Sequence, residues 1–148
     1  MSLRRLRLGE LVALGGAVCV FVGLALPCYQ TASGHLSAWQ TFGVAVVLVI
    51  LAAAMAVLLA LVTITERSTA VPVAVGVWTV VAAIPGVIAA LVRVLERPEH
   101  ATAVAVGGWL MLAGSVAILV GGWQAMRDER TSAYETPQIE RRPPPVGS

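Results

Sequence analysis

The sequence predicts an all-α fold: a membrane-spanning four-helix bundle, antiparallel and up-down-up-down, followed by a disordered C-terminal tail. Three observations carry that expectation. Of the 148 residues, 58% are hydrophobic and only 12% are charged, about half the charge density of an ordinary soluble domain. A chain this short cannot bury so much apolar surface in a core of its own, and a bilayer is the solvent that accepts it. The charges are also bunched. No Asp, Glu, Lys or Arg occurs from Leu11 to Thr65, and that stretch far exceeds the roughly 20 residues one spanning helix needs.

Taken in order, residues 1–8 form a basic N-terminus with Arg4, Arg5 and Arg7. The first span is expected over residues 9–28. It ends at Pro27, which helices tolerate poorly beyond their first turn, and at the polar run from Gln30 to His35. Residues 29–38 make an outer loop and residues 39–65 the second span, closed by Glu66 and Arg67 in an inner loop of residues 66–69. The third span, residues 70–95, contains Pro85-Gly86 at its middle, where one backbone donor is missing and a kink is expected. Glu96, Arg97, Pro98, Glu99 and His100 form a short outer loop. The fourth span covers residues 101–126 and stops at Arg127-Asp128-Glu129-Arg130. Residues 127–148 carry Pro137 and Pro143-Pro144-Pro145 with few apolar residues, a composition that builds no core and reads as a disordered cytoplasmic tail.

Orientation follows from the arginines, because short loops rich in Lys and Arg stay cytoplasmic. All ten basic residues are Arg. Arg4, Arg5, Arg7, Arg67, Arg127, Arg130, Arg141 and Arg142 fall on one side, and Arg93 and Arg97 on the other. The chain is therefore read as a multi-pass protein of the plasma (inner) membrane with both termini cytoplasmic. A cleaved signal peptide or a lipoprotein signal ending at Cys28 is the rival reading. Pro27 stands directly before that Cys, where a small residue is expected, and argues against it.

Helices associate in lipid through close backbone approach, which small residues permit. Gly107, Gly114 and Gly121 recur every seven residues in the fourth span, flanked by Gly108, Ser115 and Gly122. The second span has Ala52, Ala56 and Ala60, and the third has Ala82, Gly86 and Ala90. These stripes are expected to pack the bundle. The fourth-span groove is also the place where a partner helix or a second copy would dock.

Intramembrane charge marks ion and proton paths, and Arg93 is the one candidate. It lies within a turn of the third loop, so its side chain is expected to snorkel to the outer interface near Glu96. Thr63, Thr79 and Ser115 can bond carbonyls of their own helices. Cys19 sits deep in the first span, about 13 Å of helical rise from Cys28, which excludes an internal disulfide. Cys28, His35 and His100 share the outer face with Glu96 and Glu99, but no spacing among them is diagnostic of a metal. The more ordinary use of Cys28 is an intermolecular disulfide. Tyr29 and Trp39 near the outer boundary and Trp123 near the inner one read as interfacial anchors, and Trp78 and Trp109 as buried between helices. No nucleophile-base pairing, phosphate loop, HExxH or nucleotide fingerprint appears. No enzyme activity, cofactor, metal site or nucleic-acid partner is expected.

Leu26-Pro27-Cys28-Tyr29, Ser37-Ala38-Trp39 with Phe42, Gly107-Gly108-Trp109-Leu110 and the run from Gly121 to Glu129 together resemble a group of uncharacterised small four-span membrane proteins of actinobacteria. The resemblance covers most of residues 4–130. Members of that group usually carry Trp at the position of Cys28, which weakens a role for the thiol. It implies the fold and a cell-envelope location, and no activity. Two functional classes follow. One is a structural or accessory protein that binds another membrane protein or itself through the fourth-span glycine face. The other is a small transporter or oligomeric pore subunit, for which a packed four-helix core leaves little room.

Overall fold

A computed structural model describes residues 8–32, 34–65, 70–96, 98–99 and 101–132. The N-terminal arginines, the 66–69 loop, Arg97, His100 and residues 133–148 of the tail lie outside the described residues. The fold is all-α, with four long helices that are each apolar and long enough to cross a membrane. Helix α1 spans Leu8–Ala25, α3 Val44–Thr65, α4 Ala70–Leu95 and α5 Val106–Ser132, and a single turn, α2, covers Ala38–Thr41. They form an antiparallel ring in which α1 packs against α5 and α3, and α4 packs against α3 and α5. The core is built from small side chains, among them Ala13, Ala17, Ala52, Ala53, Ala56 and Ala83, with Val20, Val49, Met111 and Ile118 between them.

At one end of the bundle three boundaries differ from the sequence expectation: α1 stops at Ala25 rather than residue 28, α3 starts at Val44 rather than residue 39, and α5 starts at Val106 rather than residue 101. The expected loop of residues 29–38 instead holds most of the strands β1 (Pro27–Thr31) and β2 (Gly34–Ser37), and residues 101–104, expected as the start of the fourth span, form β3 (Ala101–Val104). They make an antiparallel sheet in the order β2-β1-β3. Pairing satisfies the strands' backbone groups at the mouth of the bundle. The Ala105 amide then bonds the Cys28 carbonyl at 2.8 Å, which ties the central strand to the start of α5. Trp39, placed by sequence at the start of the second span, belongs to α2. The Gln40 side chain accepts from the Ser37 amide at 3.2 Å and caps that turn. Gly43, at φ +52°, then lets the chain turn into α3 through a conformation that favours glycine.

At the other end α5 runs on to Ser132, so the first residues of the expected tail continue the helix. The third span starts and stops where the sequence places it, and α4 stays one helix across Pro85.

Candidate functional site

The closest helix pairing in the molecule joins α1 and α5 along matched glycines. Gly9, Gly16 and Gly23 recur every seven residues on α1, and they oppose Gly121, Gly114 and Gly107 on α5. A Cβ added at Gly16 would stand 2.6 Å from the Gly114 carbonyl oxygen, and one at Gly114 would stand 2.6 Å from the Gly16 carbonyl oxygen. At the sheet end, a Cβ at Gly107 would lie 2.8 Å from the Gly23 oxygen. Such contacts exclude any side chain, so the two backbones touch directly. The fourth-span groove expected to receive a partner is thus filled by the chain's own α1, and a second protein would reach Gly114 only after displacing it. The α1 half of the seam carries the same seven-residue spacing, which makes it legible in the sequence.

The remaining small-residue stripes also pack inward. Ala52, Ala56 and Ala60 are buried on α3, and Gly86 brings α4 against Ala52, where a Cβ would lie 3.2 Å from the alanine methyl. The hydroxyls of Thr79 and Ser115 each donate to the carbonyl four residues back at 2.8 Å.

One glycine has no such reason. Gly15 lies at the middle of α1 on its outward side, and a Cβ there would meet nothing within 4 Å. Cys19, half-buried, is one turn further along.

Beneath the sheet, Tyr29 and Phe42 are both fully buried, with ring centroids 6.1 Å apart. Tyr29 is therefore not a lipid-facing anchor. Its hydroxyl donates to the Arg93 carbonyl, and the Arg93 guanidinium donates from Nη2 to the Phe42 carbonyl at 3.3 Å. Arg93 thus reaches toward the sheet end of the bundle, where it bonds the α2–α3 junction and lines the same groove as Glu96. Burial raises the Tyr29 hydroxyl pKa, an effect that the nearby Arg93 charge partly offsets.

Cys28 is inaccessible as well, with Sγ 3.8 Å from the Met111 sulfur. Burial pushes its thiol up to about 11. A buried, protonated thiol is unsuited to the intermolecular disulfide considered from sequence. His35 is exposed on β2. His100 lies outside the described residues.

Arg93 also stands at the head of a groove of about 400 Å³ between α3 and α4. Ala45 and Leu48 form one wall and Pro85, Ala89 and Val92 the other, with Glu96 at the rim. The α4 positions repeat at helical spacing along one stripe.

At the opposite end Glu10 is 4% exposed and accepts a hydrogen bond from the Thr63 hydroxyl at 2.9 Å. Arg93 is thus not the sole charged side chain held within the bundle. The signal for Glu10 was its place inside the first predicted span.

The tryptophans turn outward. Trp78 is 63% and Trp109 56% exposed, against the expectation of burial, and Trp39 and Trp123 are exposed as well. Trp39 and Trp109 ring the sheet end. Trp78 and Trp123 ring the other, the arrangement of two interfacial belts. Comparison of the chain with protein-family models, with curated proteins and with solved structures finds no match.

Proposed function

We propose that this membrane protein is a non-enzymatic accessory subunit of the plasma membrane, with both termini cytoplasmic, which packs the outward face of α1 against another membrane protein. The orientation rests on the division of the arginines, eight against two. The cell-envelope location is supported by the likeness to small four-span proteins of actinobacteria.

The association rests on Gly15. A mid-helix glycine costs about 1 kcal/mol relative to Ala in a helix. Every other glycine within the described helices has a neighbour that an added methyl would touch, whereas Gly15 opens onto the surface. Together with Cys19 it makes a small-residue step between Leu11, Val18 and Val22, which are all exposed. A second helix can approach the backbone there. The transporter or pore reading has less support, because the α1–α5 backbones meet directly and the middles of the four spans hold no charged residue.

A photoreactive residue placed at Val18 in native membranes tests the proposal. It is expected to capture a second membrane protein, and Gly15→Leu is expected to abolish that product. A product that survives Gly15→Leu unchanged, or a product made only of this chain, overturns the accessory reading.

A further inference from the structure

The groove between α3 and α4 has the dimensions and charges of a lipid site. Its lining runs along α4 from Pro85 to Glu96, the residue just past the helix end, a rise of about 16 Å. That length matches one leaflet, half of a hydrocarbon core about 30 Å thick. The groove floor is apolar for most of its length and becomes charged only at the sheet end. There Arg93, in the last turn of α4, and Glu96, the residue just past its end, stand three residues apart, and the Glu96 amide still bonds the Val92 carbonyl at 2.7 Å. Arg93 is half-buried and held in place by the Phe42 carbonyl, which occupies one of its five donors. Glu96 is exposed at the rim.

We propose that this groove binds one glycerophospholipid with a zwitterionic amine headgroup, phosphatidylethanolamine, from the leaflet on the sheet side. One acyl chain lies along Leu48, Pro85, Ala89 and Val92. The phosphate accepts hydrogen bonds from the Arg93 guanidinium, and the ammonium group donates to the Glu96 carboxylate. A cation and an anion placed a turn apart suit a headgroup that carries both charges. They suit a purely anionic headgroup less well, because Glu96 would repel it. The inference needs only that the four helices span a bilayer, and it stands whether or not α1 has a partner.

Native mass spectrometry of the full chain, stripped of lipid in mild detergent and then given dioleoyl phosphatidylethanolamine, phosphatidylcholine or phosphatidylglycerol, tests it. Phosphatidylethanolamine is expected to add a single retained lipid, with about tenfold preference over the other two, the scale of one charge-assisted contact. Glu96→Gln is expected to shift the preference toward phosphatidylglycerol. Arg93→Gln is expected to weaken retention of every headgroup. Because Arg93 also braces the Phe42 carbonyl, Ala89→Phe supplies a second variant that fills the groove without touching either charge, and it should abolish the adduct. Equal retention of the three lipids, a wild-type preference for phosphatidylglycerol, or an adduct that persists in Ala89→Phe overturns the proposal.

Discussion

Replacing Gly114 by Ala adds one methyl at the middle of the α1–α5 seam, and the structure fixes what it meets. The new Cβ would lie 2.6 Å from the Gly16 carbonyl oxygen and 2.9 Å from both the Val20 amide nitrogen and a Val20 methyl. Ordinary contact begins at 3.4 Å, so α1 must retreat by about 0.8 Å, the difference between 3.4 and 2.6. The first obstacle is backbone, which has no rotamer to change. The retreat loosens the Gly9–Gly121 and Gly23–Gly107 contacts along the same rigid helices, so the expected cost is that of overpacking, about 1–3 kcal/mol. This shifts the unfolding equilibrium by roughly 5- to 150-fold. Unfolding in mixed micelles with increasing SDS, followed by circular dichroism, measures it, with Gly15→Ala as the control. At Gly15 nothing obstructs the methyl, and the helix gains up to about 1 kcal/mol. If Gly114→Ala is as stable as the parent, or more stable, helix propensity outweighs packing at the seam and the direct backbone contact is refuted.

Four further outcomes are expected. Cys28 resists a water-soluble maleimide in the folded protein and reacts after denaturation, and rapid labelling at neutral pH would contradict its burial. The folded thiol is raised from 9.0 to about 11 while the unfolded one is not, so the folded state holds its proton more tightly. The Cys28 contribution to stability is then constant below pH 9 and is lost as pH rises from 9 through about 11, a decline that Cys28→Ala should reduce in a pH series of the same unfolding curves. Tyr29→Phe leaves the Arg93 carbonyl without its hydroxyl donor and is expected to cost about 1–2 kcal/mol, read as a lower midpoint in thermal unfolding. Because all four tryptophans face outward, brominated lipids should quench most of the tryptophan fluorescence in vesicles, and an unquenched majority would restore the buried placement of Trp78 and Trp109.

Four helices long and apolar enough to cross a bilayer were legible in the residues alone, as were the stops of the second and third. Charge is excluded from hydrocarbon at a cost each residue bears locally, so a charge-free run such as Leu11 to Thr65 needs no knowledge of its neighbours to be read. The end of the second span at Thr65 and both ends of the third survive in the structure for that reason. Which side of each helix meets protein emerged only from the packing. These spans are apolar almost all round, and lipid is as apolar as a core, so periodicity does not separate a face like that of Gly15 from one like that of Gly16. The same ambiguity hid the outward turn of Trp78 and Trp109. It also left the α5 glycines open to a partner until α1 was seen against them. The sheet was hidden for another reason: β1 and β2 are short neighbouring segments in an outer connection, and β3 lies far along the chain, so its pairing with β1 exists only once the helix ends have been brought together. That pairing buries Tyr29 and Phe42 and fixes Arg93 at the head of the groove.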